Sequence, residues 1–305
     1  MISMPDSPFY HFNASFDAID TIQRHARADL KSDAAFLTNF LGVKIAIRYF
    51  PGILDGKGGE VEPIPIPANW HADIAEWAFA LRSVDMAEKT FRAVELGCGW
   101  GCWLNNTGAA ARRRGLAVDL IGIEGDEEHV GFALESLVAN GFLRDEFRIV
   151  HGVAAPRRSK ALFPVVANSG AVWGSTPVFD ATATQISEAL RNGSYQVLDA
   201  FPLADLSGGK PIDLLHVDIQ GGETDFVKAN FIDIDRHVRR MLVGTHSRII
   251  EGDLMRFLLE SGWTIEMDRP CIFGLVDGQP QIQVDGVQGW VNPKLEGVRR
   301  GKRLV

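Results

Sequence analysis

Ala93-Val94-Glu95-Leu96-Gly97-Cys98-Gly99-Trp100-Gly101-Cys102 decides the fold. Four residues of strand character run into three alternating glycines. Glycines so placed let the backbone turn tightly and approach a ligand closely. Residues 102–114 then read as a helix whose inner face is small, with Leu104, Thr107, Gly108 and Ala111. Small residues there permit close packing of helix on sheet. A strand, a glycine turn and a helix open an α/β sheet whose ligands lie beyond the carboxyl ends of its strands.

The same alternation continues toward the C-terminus. Val118 to Ile123 reads as a second strand, ending in Glu124-Gly125-Asp126. Val130, Ala133, Leu134, Leu137 and Val138 recur at helical spacing, and Asn140-Gly141 supplies a stop. Further strands are expected at 147–150, 212–219 and 241–244, then a helix through Ile250, Leu254, Phe257 and Leu258 that ends near Gly262. Residues 263–276 and 281–291 read as two final strands, suited to an antiparallel hairpin at one edge. Alternating strands and helices predict a mostly parallel, doubly wound sheet. The interval 156–205 is long for a connection. It carries Ser169-Gly170, Trp173-Gly174-Ser175 and Pro177 and reads as a loop of the lid or substrate kind.

Toward the N-terminus, residues 14–41 show helical spacing. Pro51 to Pro67 is rich in glycine and proline and cannot continue a helix. A helix is expected at 71–89, with Ile74, Trp77, Ala78 and Leu81 on one face. The expected organisation is an N-terminal helical and loop extension over 1–90, serving as a substrate lid or an oligomerisation region. A sheet domain over 91–291 follows, with its insertion at 156–205, and then a tail over 292–305.

The bulk numbers are those of an ordinary soluble globular protein. Of 305 residues, 46% are apolar and 23% charged, and the net charge is −8 with acids and bases interspersed. Phosphate binding needs clustered Lys and Arg, so nucleic acid is not an expected partner. The run Arg112-Arg113-Arg114 is the densest basic spot and reads as a solvated helix end. Three cysteines, Cys98, Cys102 and Cys271, make no disulfide framework and fit a reducing compartment. No signal-peptide core and no span-length apolar run is visible, so a cytoplasmic location is expected.

The turn also points to a ligand. A dinucleotide fingerprint would place a third small residue at position 102, where this chain has Cys102. Glu95, two residues before the first glycine, would repel a pyrophosphate. It suits a positively charged ligand without phosphate, such as S-adenosylmethionine (SAM). Glu124, ending the second strand, can accept hydrogen bonds from both ribose hydroxyls, as it would also in an NAD enzyme. Gly152 to Ala155 is small and turning, and in this architecture Ala154 borders the adenine ring. An NAD-dependent oxidoreductase or epimerase, and a SAM-binding module without catalysis, are the competing readings.

Two further segments carry a family resemblance. Ile212-Asp213-Leu214-Leu215-His216-Val217-Asp218-Ile219-Gln220-Gly221-Gly222-Glu223 resembles the signature of FkbM-type methyltransferases, which usually have Glu where this chain has Gln220. Gly244-Thr245-His246-Ser247-Arg248, Trp70-His71-Ala72-Asp73 and the Gly99-Trp100-Gly101-Cys102-Trp103 loop are similar to members as well. The likeness spans roughly residues 65–265. It implies a seven-strand, Rossmann-like class I methyltransferase fold and a SAM-dependent O-methyltransferase acting on a hydroxyl of a sugar, a glycan or a glycosylated secondary metabolite. It places Glu95, Gly97, Cys98, Gly99, Trp100, Gly101, Glu124, Gly125, Ala154 and Asp218 on the cofactor side. The Asp218-Ile219-Gln220-Gly221 turn lacks the proline pair common among amine methyltransferases, which favours an oxygen acceptor.

For catalysis, a hydroxyl is a poor nucleophile at neutral pH and gains from a general base. His246, just past the fifth strand, is the first candidate. Asp218 could orient the base, contact the acceptor or bind a metal, and Glu223 opens the next helix, where an acid also suits the helix dipole. Together Asp218, Glu223 and His246 could bind Mg²⁺, though hard cations follow no strict spacing code. His216 reads as a core histidine, and Trp100, Trp103 and Trp173 as packing or stacking groups. A homo-oligomer is possible on this reading, and its state is not legible.

Overall fold

The computed structural model describes residues 7–296. The first six residues, and the expected tail beyond residue 296, lie outside the described residues. In chain order the strands are β1 (Asn13–Ala14), β2 (Phe36–Thr38), β3 (Lys44–Ala46), β4 (Thr90–Leu96), β5 (Ala117–Glu124), β6 (Phe147–His151), β7 (Val153–Ala154), β8 (Ser159–Pro164), β9 (Val178–Phe179), β10 (Tyr195–Phe201), β11 (Leu214–Val217), β12 (Arg240–Thr245), β13 (Thr264–Arg269), β14 (Ile272–Val276), β15 (Gln279–Val284) and β16 (Gly286–Val291). The helices are α1 (Ala18–His25), α2 (Ile74–Asp85), α3 (Cys102–Arg113), α4 (Glu127–Ala139), α5 (Ala183–Asn192), α6 (Leu203–Ser207), α7 (Glu223–Ala229), α8 (Phe231–His237) and α9 (Arg248–Glu260).

The main sheet has the order β1-β13-β16-β12-β11-β4-β5-β6. Strands β12, β11, β4, β5 and β6 are parallel, and β16 runs antiparallel between β12 and β13. This is the expected mostly parallel α/β sheet, with the two-residue β1 added at the edge. The order reverses at β4, which lies beside both β5 and β11. The ligand crevice of a doubly wound sheet opens at such a reversal, here over the glycine turn.

The sheet's two faces bury separate apolar clusters. One includes Trp77, Phe79, Phe91 and Leu104, and the other Val94, Leu215, Phe226 and Trp290. Helix α2 belongs to the first cluster and is buried along most of its length. Its start is fixed by a capping box, in which Asp73 accepts from the Ala75 and Glu76 amides and Glu76 reaches back to the Asp73 amide. Arg269 of β13 forms an ion pair with Asp73, and both side chains are almost fully buried.

Three expectations need correction. Residues 14–41 are not one helix. Only Ala18–His25 is helical, and a β2–β3 hairpin follows. Its turn is organised by the Asn39 side chain, which accepts from the Leu41 and Val43 amides, and by Gly42 at φ 87°. The 156–205 interval is not an extended loop. It folds with β7 as a four-stranded sheet in the order β7-β10-β8-β9, carries α5, and has a small core of Val153, Ala155, Ala161, Phe163, Leu198 and Ala200. The C-terminal strands are four rather than two. Pro270 cannot donate to a ladder, which separates β13 from β14, and Asp277-Gly278 at φ 51° and 76° closes the β14–β15 ribbon. The antiparallel element within the sheet is therefore β13 with β16.

Candidate functional site

The glycine turn after β4 needs its glycines. Gly97, Gly99 and Gly101 have φ of 72°, 51° and 76°. A Cβ on Gly97 would fall 2.2 Å from the Asp218 carbonyl oxygen, so the β4 and β11 ends approach as only glycine allows. Beside this turn lies a cavity of about 350 Å³, a size within the range of small-ligand sites. Its lining includes Glu95, Gly97, Cys98, Gly99, Trp100, Glu124, Gly125, Ala154 and Asp218. Gly101 caps α3 behind it. The residues expected on the cofactor side are thus brought together.

The two acids at the strand ends have backbone partners. Glu124 Oε2 accepts from the Gly99 amide at 2.9 Å and its Oε1 from the Asp126 amide at 2.8 Å, so this carboxylate ties the glycine turn to the end of β5. Glu95 differs from the expectation of an acid free to face a cation. Its oxygens accept from the Trp103 and Leu104 amides at 3.1 and 3.0 Å, in the first turn of α3. Burial pushes its carboxyl up to about 8, despite these bonds. The helix end, which has unpaired amides and positive polarity, claims the nearest carboxylate.

Aromatic rings cover the cavity. Trp173, from the insertion, is sandwiched between His129 of α4 (centroids 3.9 Å, 9°) and Phe50 (4.3 Å, 17°). Its indole donates to the Gly170 carbonyl at 2.8 Å, and its edge would lie 3.0 Å from a Cβ on Gly99. Ser169 donates to Asp126, and His129 donates to the Ser169 carbonyl, which anchors this part of the insertion to the start of α4. Trp70 and Trp100 also line the cavity. Trp103 lines it too, but packs edge-on against buried Trp77.

The segments after β11 and β12 carry the candidate catalytic groups, Asp218 and Glu223 on the first and His246 on the second. His246 Nδ1 donates to Glu223 Oε1 at 3.0 Å, and its Nε2 lies 3.4 Å from Asp218 Oδ1. Glu223 Oε1 also accepts from the Ile219 and Gly221 amides, while its buried Oε2 has no partner among the described residues. Burial disfavours charge on His246, but the Glu223 hydrogen bond and the Asp218 charge outweigh it and raise its pKa to about 9. Burial pushes the Asp218 carboxyl up to about 6. Burial also opposes the charge on Glu223, but His246 holds its carboxyl below the usual range. The expected neutral base is therefore an imidazolium between two acids. Asp218, Glu223 and His246 offer ligand atoms within 4.8 Å of one another. Gln220, at φ 55°, donates to Asp218 Oδ1 at 3.2 Å.

At the cavity's other wall sit His71 and His216, both driven by burial to a pKa of about 3 and so neutral. His216 was expected as a core histidine, and it is 4% exposed yet lines the cavity. Glu76 lines it as well. His71 and Glu76 lie in the segment from Trp70 to Trp77 that shares the family resemblance, but nothing in it marks them for this site. No local pattern marks Phe50 or Phe163 either, because all four enter from segments outside the strand–turn–helix frame.

A protein of Jannaschia sp. (strain CCS1) named "Putative methyltransferase" is 53% identical over 259 residues, covering 85% of this chain and 93% of that protein. The chain belongs to the methyltransferases. No family model matches this methyltransferase. Among solved structures, methyltransferase FkbM from Methylobacillus flagellatus KT aligns with a TM-score of 0.45 at 12% identity, covering 71% of this chain and 54% of that one. Precorrin-6y C5,15-methyltransferase from Geobacter metallireducens GS-15 aligns with a TM-score of 0.38 at 10% identity, covering 70% and 86%. Among the described residues, no helix of the methyltransferase is long and apolar enough to cross a membrane.

Proposed function

We propose that this methyltransferase uses SAM and is an FkbM-type O-methyltransferase, with a hydroxyl of a sugar, a glycan or a glycosylated metabolite as acceptor. The observation that carries the reading is the line of groups over the strand ends. Ala154 and Phe163 suit an adenine, Glu124 a ribose, and the Gly97–Asp218 approach a sulfonium. Asp218 then stands where an acceptor oxygen would enter, with His246 behind it, its Nε2 3.4 Å from Asp218 Oδ1 and its ring outside the cavity lining. A second cavity of about 390 Å³ shares Ala154, Pro177, Ile219 and Gln220 with the first and is walled by the insertion, including Phe179. It offers the acceptor a place beside the cofactor.

Methyl transfer is an in-line displacement at carbon, so alignment of oxygen, methyl and sulfur supplies much of the gain. The Asp218–His246 pair accepts the hydroxyl proton. A carboxyl near 6 is closer to a working base than an imidazole near 9, which moves the first role to Asp218 and leaves His246, held by Glu223, to orient and balance it. The unpaired Glu223 Oε2 favours a second reading in which Asp218, Glu223 and His246 hold a divalent cation. Such a cation would lower the pKa of a bound acceptor hydroxyl. The direct test is transfer of labelled methyl from SAM across nucleotide-sugars, glycans and metabolite hydroxyls, with and without chelator. Label on a hydroxyl supports the reading, and label only on nitrogen contradicts it. Loss of transfer in chelator, restored by Mg²⁺, supports the cation reading.

A further inference from the structure

The cavity has an inner end that the strand ends alone do not build. His71 and Glu76 wall it, together with Glu95, Cys102 and His216. His71 lies just before α2 and Glu76 in its first turn, so both come from the chain ahead of the sheet. Two buried atoms here have no partner among the described residues, Nε2 of His71 and Nδ1 of His216. Buried polar atoms are rarely left unpaired, because the lost water contacts are not replaced.

A relay sets the polarity of His71. Asn39 donates to Asn106 Oδ1 at 2.7 Å, and Asn106 donates to Cys102 Sγ at 3.6 Å. Cys102 Sγ lies 3.6 Å from His71 Nδ1. Burial keeps Cys102 a thiol by pushing its pKa well up. Its one proton then goes to Nδ1, and His71 Nε2 is left as an N–H donor. Glu76 presents the opposite polarity. Its Oε2 accepts from the Asp73 amide at 3.1 Å, and its Oε1 makes no hydrogen bond among the described residues.

An α-amino acid presents the complementary pair, a carboxylate for the donor and an ammonium for the acceptor. We propose that this inner end binds the α-amino-acid terminus of the cofactor, its carboxylate on His71 Nε2 and its ammonium on Glu76 Oε1. The inference rests on the SAM reading, since the methionyl arm is the part of SAM that carries such a terminus. Glu95, the acid nearest the glycine turn, has its oxygens on α3 and leaves the ammonium to Glu76. Burial raises the Glu76 carboxyl to about 8, and an arriving ammonium supplies the charge that ionises it. The chain ahead of the sheet is then part of the cofactor site, and the cofactor lies between it and the strand ends.

The test is calorimetry on the full chain with two probes. S-adenosylhomocysteine (SAH) carries the amino-acid terminus, and 5′-methylthioadenosine lacks it. The unchanged protein should bind SAH at least about tenfold more tightly than 5′-methylthioadenosine. Glu76→Gln keeps the capping box, since Gln serves at that position. It should weaken SAH by about ten- to a hundredfold while moving 5′-methylthioadenosine by less than about threefold. His71→Asn should do the same. Equal affinity for the two probes in the unchanged protein would overturn the inference, as would SAH affinity untouched by both substitutions, or an equal loss for both probes. Binding of neither probe by the unchanged protein would remove the SAM reading and this inference with it, whereas the other failures leave that reading standing.

Discussion

Glu124 and Gly97 are where single atoms decide the most. Glu124 ties the glycine turn to β5 through two amides and also faces the cavity. Glu124→Ala should therefore weaken SAH by at least about tenfold in calorimetry, and unchanged affinity would remove Glu124 from the site. His246 gives a signed pH test. Its pKa is raised from an unfolded value of about 6.5 to about 9 in the folded protein. The stabilisation is complete below the unfolded value and is lost as pH rises through the folded one. In urea titrations, His246→Gln should destabilise more at pH 6 than at pH 9.5, and equal losses would contradict the imidazolium. In turnover, Asp218→Asn should cost about 10²- to 10⁴-fold in kcat with SAH affinity little changed. The glycines and Glu124 were legible because a strand, a turn and a helix fix them by local spacing, whereas Asp218 came with the family resemblance of the Ile212–Glu223 segment. The state of His246 was not, because it depends on Glu223 and Asp218 closing around it in three dimensions.

Among the elements, the insertion matters most to the site. The chain's turn residues there suggest a loop, but Ala161, Phe163, Leu198 and Ala200 alternate inward and build a second small sheet. The pattern was masked by the two strands' separation in sequence, β8 pairing with β10 across α5. The insertion delivers Trp173 to the stack between Phe50 and His129. Trp173→Ala removes two stacked pairs and should lower stability by about 1–3 kcal/mol in urea unfolding. It should also speed SAH release in stopped-flow chase experiments. An unchanged release rate would mean that Trp173 does not cover the cofactor.

At the scale of the whole molecule, the strand–helix alternation from residue 90 onward announces the sheet. The union of the N-terminal segment with it is not announced, since it rests on long-range pairs such as Asp73 with Arg269 and Asn39 with Asn106. Asp73→Ala strips the α2 cap and leaves Arg269 buried without its acid, at a cost of about 3–5 kcal/mol. The chain should unfold in one transition, coincident by circular dichroism and tryptophan fluorescence. Two separated transitions would mean that residues 7–89 fold apart from the sheet. The central claim is that the cavity over the glycine turn is a SAM site. It is tested most directly by calorimetric titration of the purified full chain with SAH and, in parallel, with NAD. Saturable SAH binding with no NAD heat is expected, and NAD binding with SAH silent would overturn the SAM assignment.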